Sequence, residues 1–249
     1  MRSDRIRLSE ETLLAALGDA WPACQLRAAA ELLESSEGKF PSGTRKLPPD
    51  LVRAVQRERL ILAMLNAAAQ LGYGRTNVQD VIDRAGVSRP TFYEHFANKE
   101  DCFLATFDSG AERLRKKVQA GARRGGDVWR DRIRWGLDAL LRFATREPDT
   151  ARTIVVEARA ASAAAVRRRV ALLDRFAECL EQQAQLLSGA EPTGRLMAHG
   201  IVGGVDSLLY SRLCKREYDQ LESLLPSLMY FVVLPYEGHE AAGEEFALN

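Results

Sequence analysis

The sequence predicts an all-α protein in which a helix-turn-helix unit precedes a larger helical domain. Hydrophobic residues recur at helical spacing along most of the chain, and no strand-like alternation bounded by turn residues stands out. Residues 76–99 read TNVQDVIDRAGVSRPTFYEHFANK, in which two short helical segments flank the turn sequence AGVS. Two short helices set at an angle across such a turn form a helix-turn-helix.

The first helix of this unit has recognisable signals at both ends. Asn77 is a good N-cap, and Asp80 stands three residues on, near the positive end of the helix dipole. Gly86 follows the last apolar residue, at the position where a left-handed residue commonly ends a helix. The apolar stripe of this helix comprises Val78, Val81, Ile82 and Ala85.

The second helix presents polar and aromatic side chains on its outer face. Ser88 is its predicted cap, and Pro90 is tolerated in its first turn because no intrahelical N–H is lost there. Phe92 and Phe96 lie four residues apart and face the core together. The outward side chains are Arg89, Thr91, Tyr93, Glu94 and His95. This face favours insertion into a DNA major groove over the alternative of a plain core hairpin.

Composition limits the kind of nucleic-acid site that the chain carries. The chain has 249 residues, 46% of them hydrophobic, which is enough for the core of one or two domains. Its formal net charge is +1. A DNA site must therefore be a local patch and not a property of the whole molecule.

Enzymatic, metal and membrane functions find little support in the residues. The scattered cysteines, which indicate reduced thiols and not a zinc site, are Cys24, Cys102, Cys179 and Cys214. Neither His95 nor His239 has metal-ligand spacing, and we find no phosphate loop or nucleophile elbow. No apolar run is long enough to span a membrane, and the charged start is not a signal peptide. We therefore expect a cytoplasmic protein without catalytic activity, metal or cofactor.

Two segments precede the helix-turn-helix unit. Residues 9–34 predict an amphipathic segment that Pro22 divides, either as a hairpin docked on the body or as a tail helix without a specific task. The stretch SSEGKFPSGTRKLPP has the composition of a linker. Its basic end, Arg45 and Lys46, is a candidate arm for the DNA minor groove, with a solvated linker as the alternative.

The rest of the pattern predicts a series of helices. They span residues 49–71, 98–124, 127–146, 148–158, 162–187, 192–213 and 218–233, with Pro235 ending the last. Asp127 is the predicted cap of the helix that begins beside it. Gly200 and Gly204 lie on one helical face. Each glycine inside a helix lowers helix stability by roughly 1 kcal/mol relative to Ala, so a structural reason for both is expected. That face predicts close approach of another helix, from a second subunit or from the same chain.

The stretch VQDVIDRAGVSRPTFYEHFANKEDCF resembles the DNA-binding signature of the tetracycline-repressor (TetR) family of bacterial regulators. The resemblance is specific over residues 56–107. From there to residue 236 it extends only as a helical layout, and residues 1–46 lie outside it.

The resemblance implies a division into three segments. These are an N-terminal helical extension and linker at 1–43, a DNA-binding domain at 44–107 and a ligand-binding and dimerisation domain at 108–249. The last two long helices, about 194–213 and 218–233, are implied to build a homodimer. The implied function is a repressor that leaves a palindromic operator when a small hydrophobic ligand binds. The alternatives are an activator, a ligand-independent regulator and a non-specific architectural DNA protein.

The resemblance also implies particular site residues. The candidate DNA contacts are Arg89, Pro90, Thr91, Tyr93, His95 and Lys99, joined by the caps Asn77 and Ser88 and by the arm Arg45 and Lys46. By their chemistry, Tyr93, His95 and Lys99 suit phosphates, whereas Arg89 and Thr91 suit base edges. The candidate ligand-lining residues are Phe107, Trp129, Trp135, Phe143, Glu157, Phe176 and His199. Such a lining predicts a largely apolar organic ligand held by few polar groups.

Overall fold

The computed structural model describes residue 6 and residues 8–35, 47–188 and 195–248. Throughout these residues the regular structure is helical, which confirms the all-α prediction. The chain divides into two compact units, residues 1–106 and residues 107–249, and each is described by itself below.

The helices of the first unit follow the predicted order. They are α1 (Glu10–Leu17), α2 (Ala23–Ser35), α3 (Pro49–Leu71), α4 (Val78–Ala85), α5 (Arg89–His95) and the first part of α6 (Lys99–Arg123). Within this unit α3, α4 and α5 pack against one another. Phe92 and Phe96 are buried, as the four-residue spacing predicted.

The N-terminal extension is a helical hairpin docked on α3, which decides between the two readings of residues 9–34. The Ser9 side chain caps α1 by accepting a hydrogen bond from the Thr12 N–H, and Pro22 lies between α1 and α2. The shared apolar core of the hairpin and α3 includes Leu8, Leu13, Leu26, Leu33, Leu47, Leu51 and Val55. In addition, the Ile6 N–H donates to the Arg84 carbonyl at 2.9 Å, so this part of the extension lies against α4.

The second unit consists of long helices with two π-helical interruptions. After the rest of α6 come α7 (Trp129–Arg146), α8 (Pro148–Arg152), α9 (Ala158–Ala161), α10 (Ala163–Gln183), α11 (Arg195–Lys215) and α12 (Leu225–Ala247). The π-helical segments, Thr153–Glu157 and Ala184–Ser188, were not predicted because their apolar spacing barely differs from that of an α-helix. The Ser162 side chain caps α10 by accepting a hydrogen bond from the Ala165 N–H.

Three predicted boundaries in the second unit are wrong. The last helix, α12, begins at Leu225 and not at residue 218, because two short 3₁₀ turns, Tyr218–Gln220 and Glu222–Leu224, precede it. Asp127 does not cap α7, because Val128 takes the extended N-cap position instead. Pro235 does not end the last helix; the chain continues to Ala247 and breaks at Gly238, whose φ of 84° suits a residue without a side chain. Pro235 therefore lies inside α12, three residues before the break.

The glycines of α11 differ in what surrounds them. A side chain at Gly204 would meet the Phe231 ring at 2.8 Å, so this glycine allows α11 and α12 to pack closely within one chain. Gly200 and Gly203 instead face open space among the described residues. Only Gly204 therefore fits close packing inside the chain.

Candidate nucleic-acid interface and cavity

Helix α4 is closed at its N-terminus by reciprocal hydrogen bonds. The Asn77 side-chain oxygen accepts from the Asp80 N–H at 3.0 Å, and an Asp80 carboxylate oxygen accepts from the Asn77 N–H at 2.8 Å. At the other end Gly86 has a φ of 63°, the left-handed conformation that its position predicted. Asn77 was a candidate DNA contact, and the structure places its side chain in the cap.

Helix α5 is short and its start is fixed by Ser88. The Ser88 hydroxyl accepts from the Thr91 N–H at 3.2 Å and lies 2.8 Å from the Thr91 hydroxyl. Thr91 is therefore half-buried beside the cap, whereas Arg89, Pro90 and Tyr93 are exposed. The Tyr93 side chain is 51% exposed, an unusual position for an aromatic ring unless a partner covers it.

His95 does not lie on the outer face as predicted. It is half-buried in the last turn of α5, and its Nε2 atom is buried without a hydrogen-bond partner in the described part of the chain. Burial lowers the pKa of His95, and the positive charges of Arg53 and Arg57 lower it further against the opposing effect of Glu94. A neutral, inward imidazole is a poorer phosphate ligand than the prediction assumed.

Lys99 has an intramolecular role that the sequence did not reveal. Its ammonium donates to the backbone carbonyls of Tyr73 at 3.1 Å and Thr76 at 2.9 Å, and lies 4.1 Å from the centre of the Tyr73 ring. These contacts tie the start of α6 to the loop between α3 and α4. Because an ammonium has three N–H donors, one remains for a phosphate.

Helix α3 adds basic side chains to the neighbourhood of α5. Arg53 and Arg57 are exposed, and the Arg57 guanidinium lies 5.1 Å from the centre of the Phe96 ring. Arg53 and Arg57 therefore place local positive charge beside the His95 end of α5. The predicted arm residues Arg45 and Lys46 lie outside the described residues.

The second unit encloses a cavity of about 690 Å³ between α6, α7, α10 and α11. Its walls are mainly aliphatic. They include Leu114, Val118, Ile133, Leu137, Leu140, Ile154, Val155, Leu172, Leu173, Leu180, Ile201, Val202, Val205 and Leu209. A volume of this size and an apolar lining are typical of small-molecule sites.

Charged side chains border the cavity in two places. At one end the Arg132 guanidinium donates to the Gln183 side-chain oxygen at 3.2 Å and to the Gly126 carbonyl at 2.9 Å. Elsewhere on the lining, the Asp206 carboxylate pairs with Arg169 and, at 2.6 Å, with Arg159.

Of the seven candidate ligand residues, only Phe176 lines the cavity. Phe107, Phe143 and Trp129 are buried core residues, and Trp135 lies beneath the Arg124 guanidinium at 3.9 Å. The two polar candidates are engaged elsewhere: Glu157 pairs with Arg152, and His199 lies 3.2 Å from Asp174. The lining of the cavity consists mainly of leucine, isoleucine and valine side chains on facing helices, and not of the aromatic residues among the candidates.

Metal and membrane sites find no counterpart in the part of the chain that the structure describes. No group of three or more His, Cys, Asp or Glu side chains is assembled there that could hold a metal ion. No described helix is long and apolar enough to cross a membrane.

Comparison with known proteins identifies the first unit. Residues 60–106 match the family model for bacterial regulatory proteins of the tetR family. The chain is 29% identical over 125 residues to the HTH-type transcriptional activator FasR of Mycolicibacterium smegmatis. That match covers 50% of this chain and 57% of the relative, so the chain spans little more than half the length of this relative.

Solved structures share the fold of this chain beyond residues 60–106. FadR of Bacillus halodurans, a fatty acid degradation regulator, has a TM-score of 0.62 at 18% identity over 76% of this chain and 96% of its own. FadR of Bacillus subtilis in complex with stearoyl-CoA has a TM-score of 0.60 at 18% identity, covering 73% and 98%. At these identities the likeness establishes the fold alone.

The capped α4 and α5, the exposed face of α5 and these matches define a helix-turn-helix regulator of transcription. Residues 60–106, which include α4 and α5, match the DNA-binding unit of the tetR family, and the likeness of the longer chain to these structures is one of fold.

Proposed function

We propose that this chain is a cytoplasmic, homodimeric repressor that leaves a palindromic operator when a small, largely apolar ligand binds. The observation that carries the proposal is α5, which exposes Arg89, Pro90 and Tyr93 from a helix held by a Ser88 cap and two buried phenylalanines. A short, fixed helix with such a face fits a DNA major groove.

The contacts of α5 divide into base reading and positioning. Arg89 and Thr91 stand at the start of the helix, where side chains reach base edges. Tyr93 and the remaining N–H of Lys99 suit phosphates, and Arg53 and Arg57 of α3 add positive charge beside them. Replacing Arg89 with Ala should relax preference at particular operator positions, by about 1–3 kcal/mol for a good base contact.

The exposed surfaces of α11 and α12 support dimerisation. Both are uncharged over several turns, and they present Leu196, Met197, Gly200, Gly203, Ser207, Leu208, Phe231 and Leu234. Small and apolar residues at helical spacing allow two helices of a second copy to approach closely. A two-fold dimer then requires two operator half-sites about one DNA turn or a small multiple apart.

The cavity supports an organic ligand whose greater part is apolar. Its aliphatic walls would surround a hydrocarbon portion, and its arginines would favour an anionic group. The likeness to a regulator whose structure contains stearoyl-CoA adds support for a long acyl chain as the apolar portion. The domains proposed for these roles are residues 44–107 for DNA and 108–249 for ligand and dimer.

An activator is the second candidate, because the Mycolicibacterium smegmatis relative carries that name. The two signs of regulation use the same DNA-binding surface and differ in where the operator lies.

Footprinting the protein across its genome tests the proposal. The expected result is a small set of two-fold symmetric sites, bound in preference to random DNA in a competition assay. A reporter placed behind one of these sites then separates a repressor from an activator. Equal affinity for operator and random DNA would contradict the proposal and favour an architectural DNA protein.

A further inference from the structure

A cluster of three charged side chains beside the cavity carries more positive than negative charge. The guanidinium groups of Arg159 and Arg169 both contact the same carboxylate oxygen, Oδ2 of Asp206. Asp206 therefore pairs with both arginines. The cluster therefore has a formal charge of one positive unit.

Burial makes that excess charge significant. The side chains of Arg169 and Asp206 are each only 12% exposed, and the Nε of Arg169 is buried without an acceptor in the described residues. A buried donor without an acceptor costs about 1–3 kcal/mol, and more when it is charged. The cluster thus lacks one anionic acceptor.

The neighbouring charges do not supply this acceptor. Glu157 pairs with Arg152 at 3.2 Å, and this pair is neutral in total. Arg159 also lies 4.0 Å from the centre of the Tyr210 ring, which attracts the guanidinium but removes none of its charge.

The cluster opens onto the cavity through Asp206, which is one of the lining residues. Arg169 lies on α10 one turn before Leu172 and Leu173, which also line the cavity. From Arg169 to Gln183 at the Arg132 end, α10 rises about 21 Å at 1.5 Å per residue. The cavity is therefore a long apolar space with the cluster far from its Arg132 end.

We propose that Arg169, which is 12% exposed, and Arg159, which is 34% exposed, form a partly buried subsite for the carboxylate of an aliphatic acid, which replaces or joins Asp206 at their guanidinium groups. The inference rests on the proposed function, in that the cavity is taken as the ligand site. The hydrocarbon part of the acid lies along the aliphatic walls, and its carboxylate balances the excess charge. Guanidinium groups match carboxylates in planar geometry, and such pairs are strongest where water is excluded.

Two arginines elsewhere on the lining, Arg115 and Arg123, are weaker sites for a carboxylate. Arg115 is already paired with Glu112 at 2.6 Å and with Gln119 at 2.8 Å. Arg123 is exposed, so solvent and salt screen its charge. Arg132 donates to the neutral oxygens of Gln183 and Gly126, so it is the competing site that the variants below separate from the cluster.

The subsite also bears on regulation. Its three residues come from α9, α10 and α11, and α11 carries part of the proposed dimer surface. A ligand that competes with Asp206 for Arg159 and Arg169 would loosen the connection between α10 and α11. A ligand without an anionic group would leave that connection unchanged.

The test titrates the full chain with hexadecanoic acid and with its methyl ester, which share a hydrocarbon chain and differ in charge. The wild type should bind the acid at least tenfold more tightly than the ester. Arg169→Gln should abolish this preference, and the matched control Arg167→Gln, an exposed neighbour on α10, should retain it. Circular dichroism checks that each variant is folded, and Arg159→Gln serves where Arg169→Gln does not fold.

Asp206→Asn should increase the affinity for the acid, an effect that a purely structural cluster would not produce. Removing the internal carboxylate leaves the half-buried Arg169 and the more exposed Arg159 without their shared carboxylate, so the acid should bind more tightly than to the wild type. The acid should also raise the thermal midpoint of Asp206→Asn by more than that of the wild type. Equal affinity for acid and ester, or unchanged preference in both arginine variants, overturns the subsite.

Hexadecanoyl-CoA separates this inference from the proposed function. If only the thioester binds and releases operator, with sensitivity to Arg123→Gln and Arg132→Gln alone, the subsite is wrong and the ligand-released repressor stands. If none of the three probes binds, both the subsite and the acyl ligand are overturned, while operator binding still tests the rest.

Discussion

The two units of this chain differ in how their interiors are packed. The first packs aromatic rings into a core of aliphatic side chains: the ring centres of Tyr73 and Phe103 lie 4.6 Å apart, and those of Phe92 and Phe96 lie 5.9 Å apart. The second surrounds a cavity of about 690 Å³ with aliphatic side chains and keeps an uncompensated arginine charge at its border. A packed interior holds α5 in one position, whereas a hollow one has room to change if a ligand enters.

Truncating one phenylalanine in each unit should produce the largest contrast. Phe92→Ala removes a fully buried ring from the packed core and should cost about 3–5 kcal/mol of unfolding free energy. Phe176→Ala should cost clearly less, because Phe176 is half-buried and borders space that is already empty. Urea unfolding followed by circular dichroism measures both. Equal losses would mean that the second interior is as tightly packed as the first.

The contribution of Lys99 tests how the first unit positions α6. Lys99→Met keeps the aliphatic stem but loses two charge-assisted hydrogen bonds to the Tyr73 and Thr76 carbonyls, at a cost of about 1.5–3 kcal/mol. If the third N–H contacts a phosphate, the variant should also bind specific and random DNA less well and flatten the salt dependence by about one unit per subunit.

The control for Lys99 is Lys117→Met, an exposed lysine on the part of α6 that belongs to the second unit. It should change neither stability nor salt dependence. A destabilised Lys99→Met whose DNA affinity equals that of the wild type at every salt concentration would limit Lys99 to its intramolecular role.

The two units also differ in how far local sequence predicts them. In the first unit the caps at Asn77, Ser88 and Ser9 and the left-handed Gly86 are local signals, since each involves residues within four positions of one another. The Lys99 contacts were not predicted because they join residues 23 and 26 positions apart. His95 was misplaced because helical spacing does not reveal that α3 covers the end of α5.

In the second unit the helices were predicted but the cavity was not. Its lining combines side chains from α6, α7, α10 and α11, and an apolar residue that faces a cavity has the same pattern as one that faces a packed core. The Asp206 pairs join residues 37 and 47 positions apart, so no local motif indicated them. The one relevant sequence signal was Asp206, a single acidic residue in the mainly small and apolar part of α11, residues 196–209.

Matched caps compare the units at a finer scale. Ser88 accepts from the Thr91 N–H at 3.2 Å, and Ser162 accepts from the Ala165 N–H at 3.1 Å. Replacing either serine with Ala should cost about 0.5–2 kcal/mol of unfolding free energy. Only Ser88→Ala should weaken operator binding beyond that loss, as measured by gel shift at a temperature where both variants are folded. Equal gel shifts would argue against α5 as the recognition helix.

The smallest expected effect concerns pH and the packed side of α5. The folded pKa of His95 lies below its ordinary value of about 6.5, because burial, Arg53 and Arg57 all disfavour the charged imidazole more than Glu94 favours it. The unfolded chain therefore binds a proton more readily than the folded one. The stability due to a neutral His95 is fully present above about pH 6.5 and is lost as pH falls through the folded pKa.

His95→Phe should consequently flatten the fall of the urea midpoint between neutral pH and about pH 5.5. The matched control is His239→Gln in the second unit, where His239 lies 2.7 Å from the exposed Tyr230 hydroxyl and should leave that pH dependence unchanged. If His95→Phe loses stability on acidification as steeply as the wild type, the half-buried imidazole is not what makes the first unit acid-sensitive.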